Sequence, residues 1–481
     1  MTVQSHASKQ PPNLVIFLPD QQRVDTLACY GNAKVHAPNL NKLAADSVVF
    51  QRSYVTQPVC SPSRASLMTG LWPHKSGCTN NAFPLDPRVA TLPQLIGSEY
   101  RAGYIGKWHL RDKPPTERGF REWVSVEGVS DYSQFLIGKG LAPDHKNGSF
   151  SALTISNLPL ELSQADFLQR HACDFIQRNC TAPFILVVSF VEPHSPYNGP
   201  FNDEHHLTES DLDGSALESG PNAVPLRYRL IREWQNEKAL NDQTVRQFRF
   251  GLTPAECLNL KQRYFGLITL VDRSIGAILA CLENTGLMEH TLIVHTSDHG
   301  DLLGAHGLFG KGVMYEEAVC VPFFIRVPGG PRKMITRRVS HIDFVPTVLD
   351  LLHRSAPAAQ LAGKSLTPMI FGENGEQQNV FIEWNPYKRT EKRLKDGTSI
   401  APSRQVNRAI RESTRTVITP DGWKLSLRDN DLCELYNLSE DRSEQRNLYY
   451  GGQFGKVIER CTNDIRRWQQ QAADTVQLQP D

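Results

Sequence analysis

Two acidic residues stand directly behind short apolar runs. Residues 13–18 (NLVIFL) pass into Pro19-Asp20-Gln21, and residues 291–296 (TLIVHT) pass into Ser297-Asp298-His299-Gly300. Carboxylate, amide and imidazole groups brought together there would suit a divalent cation. An oxygen-rich set favours a hard ion such as Ca²⁺, Mg²⁺ or Mn²⁺, and one imidazole does not impose zinc. Each acid taken alone would serve equally well as the cap of a following helix or turn. A third segment runs Val59-Cys60-Ser61-Pro62-Ser63-Arg64 and continues Ala65-Ser66-Leu67-Met68-Thr69-Gly70. Pro62 suits the first turn of a helix, which puts Cys60 at its N-terminus, where free N–H groups and the dipole stabilise negative charge. Arg64, four residues on, shares its face. Such surroundings make a thiol acidic and reactive. The same pattern also fits a buried cysteine beside an arginine that reaches to solvent.

The elements that must position these groups alternate along the first two thirds of the chain. Continuous apolar runs at 13–18, 182–191, 291–296 and 322–327 predict strands buried on both faces. Helical patterns fall at 39–47, 61–69, 164–178, 255–285 and 343–352. This alternation predicts an α/β protein around a large, mainly parallel sheet, in which ligands gather beyond the carboxyl ends of the strands. The polar stretch 202–247 reads as an excursion from the core. A compositional shift follows, and 388–415 carries nine Lys/Arg, which reads as a solvated face or as a rim that attracts an anionic substrate. Short runs at 415–418 and 423–427, broken by Pro420-Asp421-Gly422, predict a hairpin, with a terminal helix over 454–473. The expected organisation is a catalytic α/β domain over 1–375 and a smaller α+β subdomain over 376–481.

Composition narrows the partners. Of 481 residues, 40% are hydrophobic, enough for a sizeable core, so a largely disordered chain is excluded. Lys+Arg (52) and Asp+Glu (51) nearly cancel, which removes the global electrostatic argument for nucleic acid or an anionic membrane. No apolar run of bilayer length and no secretory signal in the first twelve residues is visible, so a cytoplasmic protein is expected. The ten cysteines lack regular spacing and read as thiols in a reducing compartment.

Cys60-x-Pro62-x-Arg64, with its continuation to Gly70, resembles the signature of type I sulfatases in the alkaline phosphatase superfamily. Other segments follow in family order: Asp20-Gln21, Gly106-Lys107-Trp108-His109, Glu192-Pro193-His194, Ser297-Asp298-His299-Gly300 and Gly310-Lys311. Glu434-Leu435-Tyr436-Asn437-Leu438 and Asn447-Leu448 are similar to its closing pattern. The resemblance implies an alkaline-phosphatase-like sandwich and conversion of Cys60 to formylglycine (3-oxoalanine) by a formylglycine-generating enzyme. It also implies a cation, Ca²⁺ first, held by Asp20, Gln21, Asp298 and His299 together with the modified Cys60. One hydroxyl of the hydrated aldehyde would attack sulfur, and loss of the proton from the second would expel sulfate. By the same resemblance Arg64 orients the diol, Lys107 and Lys311 bind sulfate oxygens, His109 takes the second proton, and His194 with Lys311 serves the departing oxygen.

One departure matters. Many sulfatases carry two acids where this chain has Asp20-Gln21, and asparagine where it has His299; the combination here resembles choline sulfatases and phosphonate monoester hydrolases. The expected activity is hydrolysis of a small-molecule or oligosaccharide sulfate monoester, aryl or carbohydrate. The alternatives are a phosphonate monoester or phosphodiester hydrolase, or a non-catalytic binding protein on the same scaffold. An oligomer is compatible with the sequence. His306 reads as structural, His205-His206 has no ligand spacing, and His74 and Asn80 lie close enough in sequence to Cys60 to touch substrate.

Overall fold

The computed structural model describes residues 11–212, 223–241, 251–355, 361–372, 377–386 and 400–478. Eight strands build the larger sheet: β1 Asn13–Phe17, β2 Val48–Tyr54, β3 Arg101–Gly106, β4 Glu122–Val124, β5 Phe184–Ser189, β6 Thr291–Thr296, β7 Cys320–Arg326 and β8 Lys333–Ser340. Their order is β4-β3-β5-β1-β6-β7-β2-β8. All pairings are parallel except those of β7, which runs against both β6 and β2.

The sheet is covered on both faces. Along β1, Val15 and Phe17 enter one core cluster, Leu14 and Ile16 the other, which is why the run is apolar without alternation. Helices Pro38–Ala45, Gln164–Arg178 and Pro254–Asn284 cover the first face; Cys60–Thr69 and Phe344–Leu351 cover the second. This is the expected sandwich. The helix Pro254–Asn284 is long and apolar enough to cross a membrane by length and composition, yet here it is a core helix. Ile268, Val271, Ile275 and Ile278 pack into the first cluster, and Asp272 accepts from the N–H of Leu40 at 2.7 Å.

A second, antiparallel sheet has the order β12-β11-β10-β9, with β9 Val380–Trp384, β10 Thr414–Ile418, β11 Trp423–Arg428 and β12 Glu434–Asn437. The expected hairpin is β10–β11. The terminal helix Gly455–Ala472 packs Cys461 and Ile465 against Val417, Leu425 and Leu435.

Several elements differ from expectation. β3 (RAGYIG) contains two glycines and β8 (KMITRRVS) mixes charged and apolar residues, so neither shows the continuous run that marks a central strand. Within the supposed excursion lies a 16-residue helix, Leu226–Asn241, whose Tyr228 and Leu230 are buried between arginines that hide its period. Lys388, Arg389, Lys392, Arg393 and Lys395 of the basic stretch lie outside the described residues. Arg415 is no part of a solvated rim: it is fully buried, and Asp474 accepts from its Nε and Nη2 at 2.8 and 2.9 Å.

Candidate active site

β3, β5, β1 and β6 are adjacent and parallel, so the residues that follow them emerge on one edge of the sheet. Asp20 and Gln21 follow β1, Lys107 follows β3, His194 lies beyond β5, and Asp298 and His299 follow β6. Two close approaches hold these turns. Gly106 has φ +117°, and a Cβ there would fall 1.9 Å from the carbonyl oxygen of Ser189; at Gly300 a Cβ would fall 1.9 Å from that of Glu317. Only glycine permits either passage.

The helix Cys60–Thr69 enters from the second face and is buried along its whole length. It ends on Gly70 in the left-handed region, φ +68°. At its start Ser61 N–H donates to Asn81 Oδ1 at 2.9 Å, and the Ser61 hydroxyl donates to the carbonyl of His109 at 2.5 Å. Cys60 Sγ therefore points into the strand-end cluster, 3.2 Å from His299 Nε2. The Gly300 carbonyl can only accept, so His299 Nδ1, 2.9 Å away, carries a proton, and Nε2 faces the Cys60 sulfur.

Arg64 is the hub. Its Nε donates to Asp298 Oδ2 (2.8 Å), Nη2 to Asp20 Oδ2 (3.0 Å), and Nη1 to Ser189 Oγ (2.7 Å) and the Lys107 carbonyl (2.8 Å). Lys107 Nζ lies 2.7 Å from the same Asp20 oxygen. Asp20 Oδ1 is buried and has no hydrogen-bond partner. Among the described residues, Asp20, Cys60, Asp298 and His299 form a group whose potential ligand atoms all lie within 4.8 Å of one another. Gln21, at φ +73°, donates its N–H to Asp298 Oδ1 at 3.0 Å, while its side-chain oxygen accepts from Lys311 Nζ.

Charges set the protonation states. Burial would raise Asp20, but the charges of Lys107, Arg64 and Lys311 outweigh it and hold the carboxyl well below the usual range. Burial and Asp20 push the Cys60 thiol up, yet Lys311, Lys107 and His299 pull it well below an ordinary thiol. Burial, with Lys311 adding to it, lowers His194 to about 3, so its ring is neutral. The His194 Nδ1–H donates to the Ser195 carbonyl at 2.8 Å.

His109 is placed differently from the rest. Its backbone, at φ +57°, binds Ser61, while its ring is turned to Arg111, whose Nη2 donates to Nε2 at 3.3 Å, with Glu127 4.0 Å away. Three side groups lie elsewhere. His74 bonds Glu383 and the Ala472 carbonyl, His306 stacks on Tyr315 at 3.8 Å, and His205 Nε2 accepts from the N–H of His36. Asn80 caps its own turn through the N–H of Ala82.

Asp301, whose only signal in the sequence is that it closes the run Ser297-Asp298-His299-Gly300-Asp301, also belongs to the site. It is fully buried, accepts from Gln21 Nε2 and the Tyr197 hydroxyl, and ties the N–H groups of Leu303 (2.7 Å) and Gly310 (3.1 Å). It thereby orients Gln21 and the loop that carries Lys311. Ser189, at the end of β5, could have been found only through its contact with Arg64. A cavity of about 340 Å³ opens beside Gln21, His194 and Lys311 and is also lined by Trp234 and Lys238.

Residues 12–354 match the family model described as Sulfatase. The chain is 30% identical over 392 residues to the uncharacterized sulfatase YidJ of Escherichia coli, covering 78% of this chain and 74% of that protein. It is 26% identical over 412 residues to an N-acetylglucosamine-6-O-sulfatase of Bacteroides thetaiotaomicron, covering 75% and 71%. In structure it superposes on the phosphonate monoester hydrolase of Agrobacterium radiobacter with a TM-score of 0.76 at 23% identity, over 96% of each chain. By sequence match, architecture and the residues gathered at the strand ends, the chain is an enzyme of the sulfatase family.

Proposed function

We propose that this enzyme hydrolyses a sulfate monoester of a small aryl compound or a saccharide, using formylglycine derived from Cys60 and one divalent cation. The observation that carries the proposal is the convergence of Cys60, Asp20, Asp298 and His299 inside a ring of Arg64, Lys107 and Lys311. Similarity to an N-acetylglucosamine-6-O-sulfatase of Bacteroides thetaiotaomicron supports a carbohydrate sulfate as one substrate.

The residues fit a hard cation. Asp20 Oδ1 is a buried carboxylate oxygen without a hydrogen-bond partner, and His299 Nε2, in contact with the Cys60 sulfur, stands 3.9 Å from it. Asp20, Gln21, Asp298 and His299 would hold the ion, Ca²⁺ by their predominantly oxygen donors, with Mg²⁺ or Mn²⁺ as substitutes. When bound, such an ion draws charge from the nucleophile and from one sulfate oxygen.

The chain's own groups do the rest. A formylglycine-generating enzyme, drawing on an external oxidant, oxidises the Cys60 Cβ with loss of its sulfur to give the aldehyde; one hydroxyl of the hydrate attacks the ester's sulfur and releases the alcohol, and deprotonation of the second expels sulfate and restores the aldehyde. Arg64 pairs with both carboxylates and fixes them. Lys107 and Lys311 place positive charge where it builds up on the sulfate oxygens. His194, which donates its Nδ1–H to the Ser195 carbonyl, serves the departing oxygen together with Lys311. His109 can accept a proton at Nε2 once the 3.3 Å contact from Arg111 is released.

Mass spectrometry of the peptide containing Cys60 tests the modification; an unmodified thiol throughout, in protein co-expressed with the maturation enzyme, refutes it. Parallel assays with an aryl sulfate, an aryl phosphonate monoester and a phosphodiester test the reaction. Phosphoester turnover exceeding sulfate turnover by orders of magnitude would favour the reading that Gln21, an amide in place of an acid, suggests.

A further inference from the structure

Lys311 is carried on a turn that cannot hold itself. Gly310 and Gly312 flank it with φ +74° and +90°, and glycines restrict the backbone least. Fixed contacts must therefore come from outside. Four hydrogen bonds come from the helix Leu226–Asn241, which lies against the loop. Gln235 grips Phe309 on both sides of one residue: its Nε2 donates to the Phe309 carbonyl at 2.8 Å, and its Oε1 accepts from the Phe309 N–H at 3.3 Å. Two turns earlier, Arg227 Nη2 donates to the Gly312 carbonyl, and Tyr228 oxygen accepts from the Met314 N–H at 2.8 Å. Tyr228 and Gln235, seven residues apart, share a helix face. The loop thus runs back along the helix, with Lys311 between the two grips and its Nζ on Gln21.

The helix is itself anchored. Glu412 accepts from Arg227 Nε at 2.7 Å and from Arg428 Nη1 at 2.9 and 3.0 Å; Arg428 Nη2 also donates to Tyr228 at 2.7 Å. Arg227, Arg428 and Glu412 are fully buried, and the Arg227 guanidinium stacks 3.9 Å above the Trp384 ring. Through this network β9 and β11 of the second sheet reach the catalytic edge of the first.

We propose that Gln235 is a positioning residue for Lys311: the helix Leu226–Asn241, locked to the second sheet, clamps the Gly310-Lys311-Gly312 turn and sets where the Lys311 ammonium stands in the site. The proposal rests on the role given to Lys311 above. Arg227→Ala would leave Glu412 partly unpaired in the core and threaten folding, so Gln235→Met is the informative variant. It keeps the stem and deletes both hydrogen bonds.

The test is a double-mutant cycle of Gln235→Met with Lys311→Ala, read with an aryl sulfate as kcat and KM, alongside amide exchange over 309–314. Two lost hydrogen bonds predict a fall on the order of tenfold in kcat/KM, carried mainly by kcat, and exchange faster by on the order of tenfold, with the melting temperature nearly unchanged. In the Lys311→Ala background the same substitution adds about twofold or less. Equal losses in both backgrounds, no loss in the parent, or unchanged exchange would each overturn the clamp. Undiminished turnover in Lys311→Ala alone would instead refute the role of Lys311, while faster exchange in Gln235→Met would still show the grip on the loop.

Discussion

Replacing Arg64 by Met keeps an unbranched apolar stem in the pocket and removes the guanidinium with its charge. Four contacts disappear, two of them to carboxylates in a site with no exposure. Removing one partner of a buried ion pair costs about 3–5 kcal/mol. Asp20 keeps Lys107 at 2.7 Å, and Asp298 keeps the N–H groups of Gln21 and His299, both at 3.0 Å, so the lower end applies, about 3 kcal/mol. A chain of 481 residues unfolding as one unit has an unfolding entropy near 1 kcal/mol per degree, so the expected fall in Tm is about 3 °C. The pH dependence has a definite sign. Burial already raises Asp298, against the pull of Arg64. A raised carboxyl withdraws stability as pH rises from the ordinary carboxylate value through its folded value. Without Arg64 that window extends upward, so the deficit is full at neutral pH and shrinks as the solution is acidified toward the ordinary carboxylate range. Calorimetry from about pH 7 down to about pH 5, with and without millimolar Ca²⁺, measures both. Added Ca²⁺ should restore more stability to the variant than to the parent. An unchanged Tm, or a deficit that does not narrow on acidification, would refute the assignment of Arg64 as the counter-charge of Asp20 and Asp298.

Treatment with a chelator should abolish sulfate ester turnover and lower Tm, with Ca²⁺ restoring both; full activity after exhaustive chelation would exclude the cation. Lys107→Ala should reduce kcat by about 10²–10³-fold, as for loss of one fixed donor to transition-state charge, and a change confined to KM would contradict its role. Gly106→Ala, which combines φ +117° with a Cβ 1.9 Å from a carbonyl oxygen, should destabilise by about 3 kcal/mol or more, read as lost soluble yield or lowered Tm. His74 is raised above 6.5: burial works against this, but the hydrogen bond and charge of Glu383 prevail. Its stabilising contribution is complete below that value and lost as pH rises through the folded one. The Tm gap between parent and His74→Gln should accordingly narrow as pH rises above the ordinary imidazole value, and a gap constant across that range would refute the charged pairing with Glu383.

The legible parts of the sequence were those whose signal is local. β1, β5, β6 and β7 are buried on both faces and read as continuous apolar runs; β3 and β8 do not, because glycines and charged residues occupy them. The helix Leu226–Asn241 was hidden for a similar reason: Arg227, Arg229 and Arg232 interrupt its apolar spacing, and only the partners of Arg227 reveal that this charge lies inside. The basic stretch misled in the same direction, since a sequence cannot tell the buried, paired Arg415 from an exposed arginine.

By itself the sequence determined the chemistry-bearing groups: a cysteine at a helix start four residues before an arginine, and acids set directly behind buried strands. Those features follow from short-range rules of helix geometry and of strand burial, so neighbouring residues suffice to express them. Only the tertiary structure decided which groups meet. Arg64 finds Asp298 across 234 positions, Gln21 is oriented by Asp301 across 280, and Arg227 joins Gly312 to Glu412 over gaps of 85 and 185. Contacts over such separations depend on strand order and on which charges are desolvated together, properties of the folded sheet edge that no local pattern encodes.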